Sequence, residues 1–304
     1  MHVLRLVAVA SIATTVLAAA PPRPRLEGTW NGSTLTPLQR PAGFRDRATF
    51  TPREASEFVR MRPERAATRL PSDADRATQI DLDDTFVETE SMTIDRLRTS
   101  LIVDPPNGML PPLLPSALER VAVRPKRSLD DPETLGLSER CLMGNFGLGG
   151  SLASPPIVPS EVIPAMYRVV QTDASVLIFT EWVHDARVVR MNATHLPPSI
   201  RKWLGDSVGH YEGATLVVDT TNFRRETHNL DSGERLHVVE RFTRADAKTL
   251  MYRVTVEDPD TWATAWTAEW PFRRTNAKLF PAECHEGNYS MENMLRGARA
   301  EEKR

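Results

Sequence analysis

Past residue 165 the chain settles into short runs in which apolar and polar residues alternate. Segments 167–171, 176–182, 187–191, 215–221, 235–244, 249–257 and 264–274 each carry β-branched or aromatic residues at alternate positions, the period of a strand with one buried face. The connections Thr172-Asp173-Ala174 and Ala245-Asp246-Ala247-Lys248 are too short for a parallel crossover, which needs a dozen or more residues. The pattern therefore predicts an antiparallel meander whose edges are removed by closure into a barrel or protected in a sandwich. Residues 198–204 are expected as a short helix or turn. Met291, Met294, Leu295 and Ala298 stand at helical spacing and predict a helix over residues 291–300.

Residues 19–164 have a different texture. Pro105-Pro106-Asn107-Gly108, Pro111-Pro112 and Pro155-Pro156 mark extended or turning connections, because proline neither donates into a sheet nor continues a helix interior. Thr51-Pro52-Arg53-Glu54 offers an N-cap, a proline in the first turn and an acid at the third helical position, so a helix is expected from there to about Met61. A second is expected over residues 116–123. Gly144, Gly147, Gly149 and Gly150 make a loop, and no Lys-Ser/Thr follows to turn it into a phosphate cradle.

The first residues change the picture of where the chain works. Arg5, the apolar run from Leu6 to Leu17 and the small residues Ala18, Ala19 and Ala20 occur in the order of a secretory signal. Residues 1–18 are accordingly read as the signal, cleaved after Ala18, with no cysteine at the cut to carry a lipid. The run is too short and interrupted to span a bilayer, and no later stretch approaches a span. An exported, soluble protein of the periplasm or medium is expected. With 38 basic and 40 acidic residues the net charge is −2, which lacks the basic field of a nucleic-acid binder. In an oxidising compartment Cys141 and Cys284 are most simply a disulfide; the alternative is a reactive Cys284 thiol beside His285.

Candidate chemistry concentrates in the strand-rich part. Of seven histidines, all but His2 lie between His184 and His285. Glu181 ends an apolar row with Leu177 and Phe179, and Glu240 stands in a row with Leu236, Val238 and Phe242. If both face one cavity, burial raises the pKa of at least one carboxyl toward the range of a general acid or base, with His184, Asp185, Asp219 or His237 completing the site. The structural alternative pairs each acid with an arginine such as Arg187, Arg241 or Arg253. Trp262, Trp266 and Trp270 recur every four residues and serve either as barrel core or as a stacking wall for an apolar ligand, with Asp219 and Asn222 as candidate polar contacts. No ligand spacing argues for a metal, and no cofactor motif appears. Gly205-Asp206-Ser207-Val208-Gly209 departs from the nucleophile elbow of serine hydrolases and reads as a turn.

Two resemblances add to this. Gly28-Thr29-Trp30, near the start of the expected mature chain, is similar to the opening of lipocalin-like (calycin) barrels, in which a tryptophan on the first strand closes one end. A longer set comprises residues 100–106, Glu181 with residues 184–187, residues 203–207, 211–213, 216–223, 237–242 and 284–289. It resembles an uncharacterised family of exported bacterial proteins, which implies no activity and no catalytic residues. Ala214 and Asn192-Ala193-Thr194 depart from that family's acidic residue and Gly-rich turn.

The fold expected is thus mainly β, an antiparallel lipocalin-like barrel or sandwich, with an irregular Pro-rich N-terminal half over residues 19–164. Residues 165–304 form the β part with its C-terminal helix, and the two make one structural unit. Two functions are expected to compete: binding of a small, largely apolar molecule, and cofactor-free acid–base catalysis (isomerase, lyase or hydrolase) through Glu181, His184, Asp185, Glu240 and His237.

Overall fold

The structure, a computed structural model, describes residues 23–61, 94–123, 128–137, 139–143, 154–159, 165–181, 184–227, 229–280, 284–285 and 289–303. The signal expected over residues 1–18 and the glycine-rich loop lie outside the described residues.

The strands are β1 (Gly28–Asn31), β2 (Ile102–Asp104), β3 (Met166–Gln171), β4 (Ser175–Thr180), β5 (Ala186–Met191), β6 (Asp206–Glu212), β7 (Thr215–Thr221), β8 (His237–Arg244), β9 (Thr249–Glu257) and β10 (Trp266–Thr275). The helices are α1 (Pro52–Arg60), α2 (Pro115–Ala122) and α3 (Ser290–Glu301). The capping box at α1 forms as its sequence predicts: Thr51 accepts from the Glu54 N–H while the Glu54 carboxylate accepts from the Thr51 N–H.

The strands run in the order β1-β3-β4-β5-β6-β7-β8-β9-β10, and β10 pairs back onto β1, which closes a nine-stranded barrel. β10 is long enough for two partners on one side, β2 near Thr267 and Ala268 and β1 from Arg273 to Thr275. The first strand, set far from the rest in sequence, is therefore the stave between β3 and β10.

Two expectations need correction. The barrel is mixed, not all antiparallel, because β5 and β6 run parallel, Val189 opposite Ser207 and Met191 opposite Gly209. The connection between Met191 and Asp206 is long enough for a crossover, so short turns elsewhere did not constrain it. Of the segment read as a turn at residues 205–209, Gly205 does close a turn onto the Lys202 carbonyl, but residues 206–209 begin β6. Its glycine is a packing device: a Cβ on Gly209 would lie 2.7 Å from Val189 Cγ1, so only a bare backbone lets β5 and β6 approach.

The interior is aromatic. Tyr252 stands edge-on to Trp270 (4.7 Å) and stacks on Phe272 (5.1 Å), which stacks on Tyr167 (5.2 Å). The chain leaves β1 through Gly32, where a Cβ would fall 2.9 Å from Phe272 and 3.0 Å from Tyr167. That close passage lets the Trp270 indole donate to the Gly32 carbonyl at 3.0 Å. Trp30, fully buried on β1, donates to the Leu26 carbonyl at 2.8 Å. Cys141 and Cys284 form a disulfide linking positions 143 residues apart. Among the described residues no helix is long and apolar enough to cross a membrane.

Candidate functional site

The expected catalytic set separates into three places. Burial alternates along β8 so that Val238, Glu240 and Phe242 face inward, as expected for Glu240. On β4 the buried row is Val176, Ile178 and Thr180, so the expectation that Leu177, Phe179 and Glu181 face the interior is corrected. Both rows of that strand are apolar, and alternation there did not select a face. Glu181 accepts a hydrogen bond from the Phe280 N–H at 2.6 Å, pinning the chain that follows β10. His184 stands edge-on to the Phe179 ring at 4.8 Å, and the Asp185 carbonyl accepts from the Thr180 N–H.

Inside the barrel, Glu240 is held by Arg187 on β5 in a two-pronged pair: Nη1 meets Oε2, and Nη2 donates to Oε1 at 2.9 Å. The Tyr252 hydroxyl donates to the same Oε1 at 2.9 Å and accepts from the Ile157 N–H at 3.1 Å. Burial, reinforced by the Glu240 charge, pushes the Tyr252 hydroxyl far up and keeps it a donor. Burial likewise raises Tyr167. Among the described residues, three polar atoms here have no hydrogen-bond partner: Tyr167 Oη, Thr180 Oγ1 and Arg187 Nε. They belong to neighbouring staves, since Tyr167 on β3 pairs with Thr180 on β4, and Ile178 on β4 pairs with Arg187 on β5. Leaving such atoms unpaired costs about 1–3 kcal/mol each.

His237 and Asp219 meet on the outer face. His237 Nε2 lies 3.1 Å from both Asp219 oxygens, and Nδ1 faces Glu257 at 3.5 Å. His195, which no periodicity had singled out, comes from the β5–β6 crossover and bridges Asp219 (3.0 Å) to Asp206 (3.3 Å). Asp206 also accepts from Arg190, Lys202 and the Leu196 N–H, each at 2.9 Å. Asn222 ties itself to the crossover by donating to the Leu196 carbonyl at 2.9 Å. Donating a hydrogen bond to the Asp219 carboxylate raises the His237 pKa, and the Asp219 carboxyl sits below its ordinary value because the two imidazoles outweigh its burial.

Trp262, Trp266 and Trp270 are all buried, with Trp262 edge-on to Trp266 at 5.9 Å, whereas Asp219 and Asn222 belong to the outer cluster. The five expected ligand contacts therefore do not share one site. Among the described residues no group of three His, Cys, Asp or Glu side chains is disposed to hold a metal ion. No protein family, curated protein or solved structure matches the chain.

Proposed function

We propose that the barrel binds one small, largely apolar molecule carrying a neutral hydrogen-bond acceptor, in a compartment outside the cytoplasm. The observation that carries this reading is the unpartnered trio of Tyr167 Oη, Thr180 Oγ1 and Arg187 Nε beside an aromatic wall. All three atoms can donate, so a carbonyl or hydroxyl oxygen would satisfy them. Glu240 already cancels the Arg187 charge, so a carboxylate would enter without compensation. A barrel of this strand number encloses a width that side chains or one small ligand can fill. The disulfide suits export.

The test uses 2-undecanone as the probe and the fluorescence of the buried tryptophans as the readout. A saturable change is expected, weakened about tenfold by Tyr167→Phe, the value of one hydrogen bond. No saturable change, or one that Tyr167→Phe leaves intact, overturns the proposal. Acid–base catalysis is the second reading. It is favoured by the two imidazoles that Asp219 orients, an arrangement of carboxylate and histidine suited to proton transfer.

A further inference from the structure

A groove of about 570 Å³ lies on the outside of the barrel, away from both the interior trio and the His195–Asp219–His237 cluster. Its floor is built from Thr29 on β1, Arg168 on β3 and Phe179 on β4, which the register places side by side. Its far wall is the chain after β10, from Asn276 to Leu279. The wall stays in place because Glu181 accepts the N–H of Phe280, the next residue, at 2.6 Å. Glu181, read from the sequence as a catalytic acid, thus acts on the groove from outside it.

The electrostatics of this groove are one-sided. Arg168 spends one N–H on the Thr29 hydroxyl at 3.0 Å and, among the described residues, has no carboxylate partner. At the rim, on the opposite face with Trp30, Arg274 lies across Gly28, where φ is +139° and a Cβ would sit 3.4 Å from its Nη2. Its guanidinium faces the Trp30 ring at 5.9 Å, and Arg244 faces the same ring at 5.0 Å. Arg244 is held by the carbonyls of Arg25, Asp246 and Ala247 and cannot swing away. Lys278, exposed on the wall, adds a further cation. Burial, and then repulsion from Arg274, lowers the Arg244 pKa, and the Asp246 charge opposes that shift. Nearby ion pairs such as Arg241 with Glu212 and Arg253 with Glu269 show that the outer face elsewhere neutralises its arginines.

The geometry points to a second binding site in this groove, for a small aromatic or flat apolar acid whose carboxylate sits between Arg168 and Lys278 and whose ring lies on Phe179. The volume falls within the range of small-molecule sites. An arginine fork recognises a carboxylate through two parallel hydrogen bonds, and a half-buried phenylalanine offers the apolar surface for the ring. The inference stands independently of the interior site, whose donors are matched to a neutral oxygen.

Isothermal titration calorimetry with 2-naphthoate, on the full mature chain, tests it. One equivalent is expected to bind, with affinity falling as salt rises. Arg168→Gln should weaken binding at least tenfold, and 2-naphthalenemethanol, the neutral analogue, should bind at least tenfold more weakly than the acid. Lys278→Gln, on an exposed segment, provides a variant that cannot disturb the core and should weaken binding several-fold. Glu181→Ala should weaken binding by loosening the wall, while Glu181→Gln, which keeps an acceptor for Phe280, should restore it. Tyr167→Phe should leave naphthoate binding unchanged, which separates this site from the interior one. Equal binding of acid and alcohol, no saturable heat, or unchanged affinity in both Arg168→Gln and Lys278→Gln overturns the inference.

Discussion

Asp219 and Glu240 are carboxylates on adjacent strands, Glu240 directly opposite Val218 and Asp219 directly opposite Val239. A single step of the strand period separates their fates. Glu240 points inward, is 0% exposed, and depends on one arginine and one tyrosine. The Asp219 side chain points outward, is 36% exposed, and shares two imidazoles with the solvent as a further partner. The inner carboxylate has no substitute for its partner, whereas the outer one can lose a hydrogen bond and recover much of it from water. Position on the strand, more than residue type, sets what each acid can do.

The largest test of this contrast is at the inner pair. Glu240→Gln should strand the Arg187 charge in the core and cost about 3–5 kcal/mol in urea unfolding. The double replacement Arg187→Met with Glu240→Leu should recover most of that loss, since an apolar pair avoids desolvating two ions. A Glu240→Gln protein as stable as the parent would show that Arg187 finds water or another partner.

An intermediate effect is expected at Asp206, which is buried yet belongs to the outer cluster. Burial opposes its charge, but the Leu196 N–H, Lys202 and His195 outweigh that and hold its pKa at about 2. Because the folded value lies below the unfolded one, the stabilisation is complete above the ordinary aspartate pKa near 4 and is lost as pH falls toward 2. Asp206→Asn should cost about 2 kcal/mol at neutral pH and flatten the acid limb of the stability curve. An acid limb that survives the replacement would assign it to other carboxylates.

The smallest effect is at the outermost site. The hydrogen bond that His237 donates to Asp219 raises the His237 pKa, so that contribution is present below the ordinary histidine value and fades as pH rises through the raised one. Asp219→Asn should return His237 to near 6.5 by NMR titration, with little change in unfolding. A His237 titration that does not move would mean that Glu257, not Asp219, governs the ring.

Much of the barrel was legible because its strands are short, alternating and β-branched: β7 and β9 coincide with the runs at 215–221 and 249–257. The capping residues of α1 and the cysteine pair were legible because each is a local or countable signal. The sites were less so. Glu181 was placed on the wrong face because Leu177 and Phe179 imitate a buried row while remaining partly exposed. His195 lies in a proline-bearing crossover where no period exists to mark it. The trio of Tyr167, Thr180 and Arg187 sits on staves the meander does make neighbours, but which of their polar atoms the packed core leaves unpaired is encoded by no local pattern. Arg187 as the partner of Glu240 was within reach, since a buried acid demands a base.

The parallel seam between β5 and β6 has a consequence that belongs to counting. Going once around a closed ring, the strand direction must return to its starting sense, so the number of reversals is even. A ring of nine staves has nine junctions and cannot reverse at all of them. Eight reversals and one continuation are what the pairings contain. The crossover bearing His195 and anchored on Asp206 is therefore where an odd ring resolves its parity. A relative with one stave fewer or one more would be free to alternate all the way round and would have no need of that crossover.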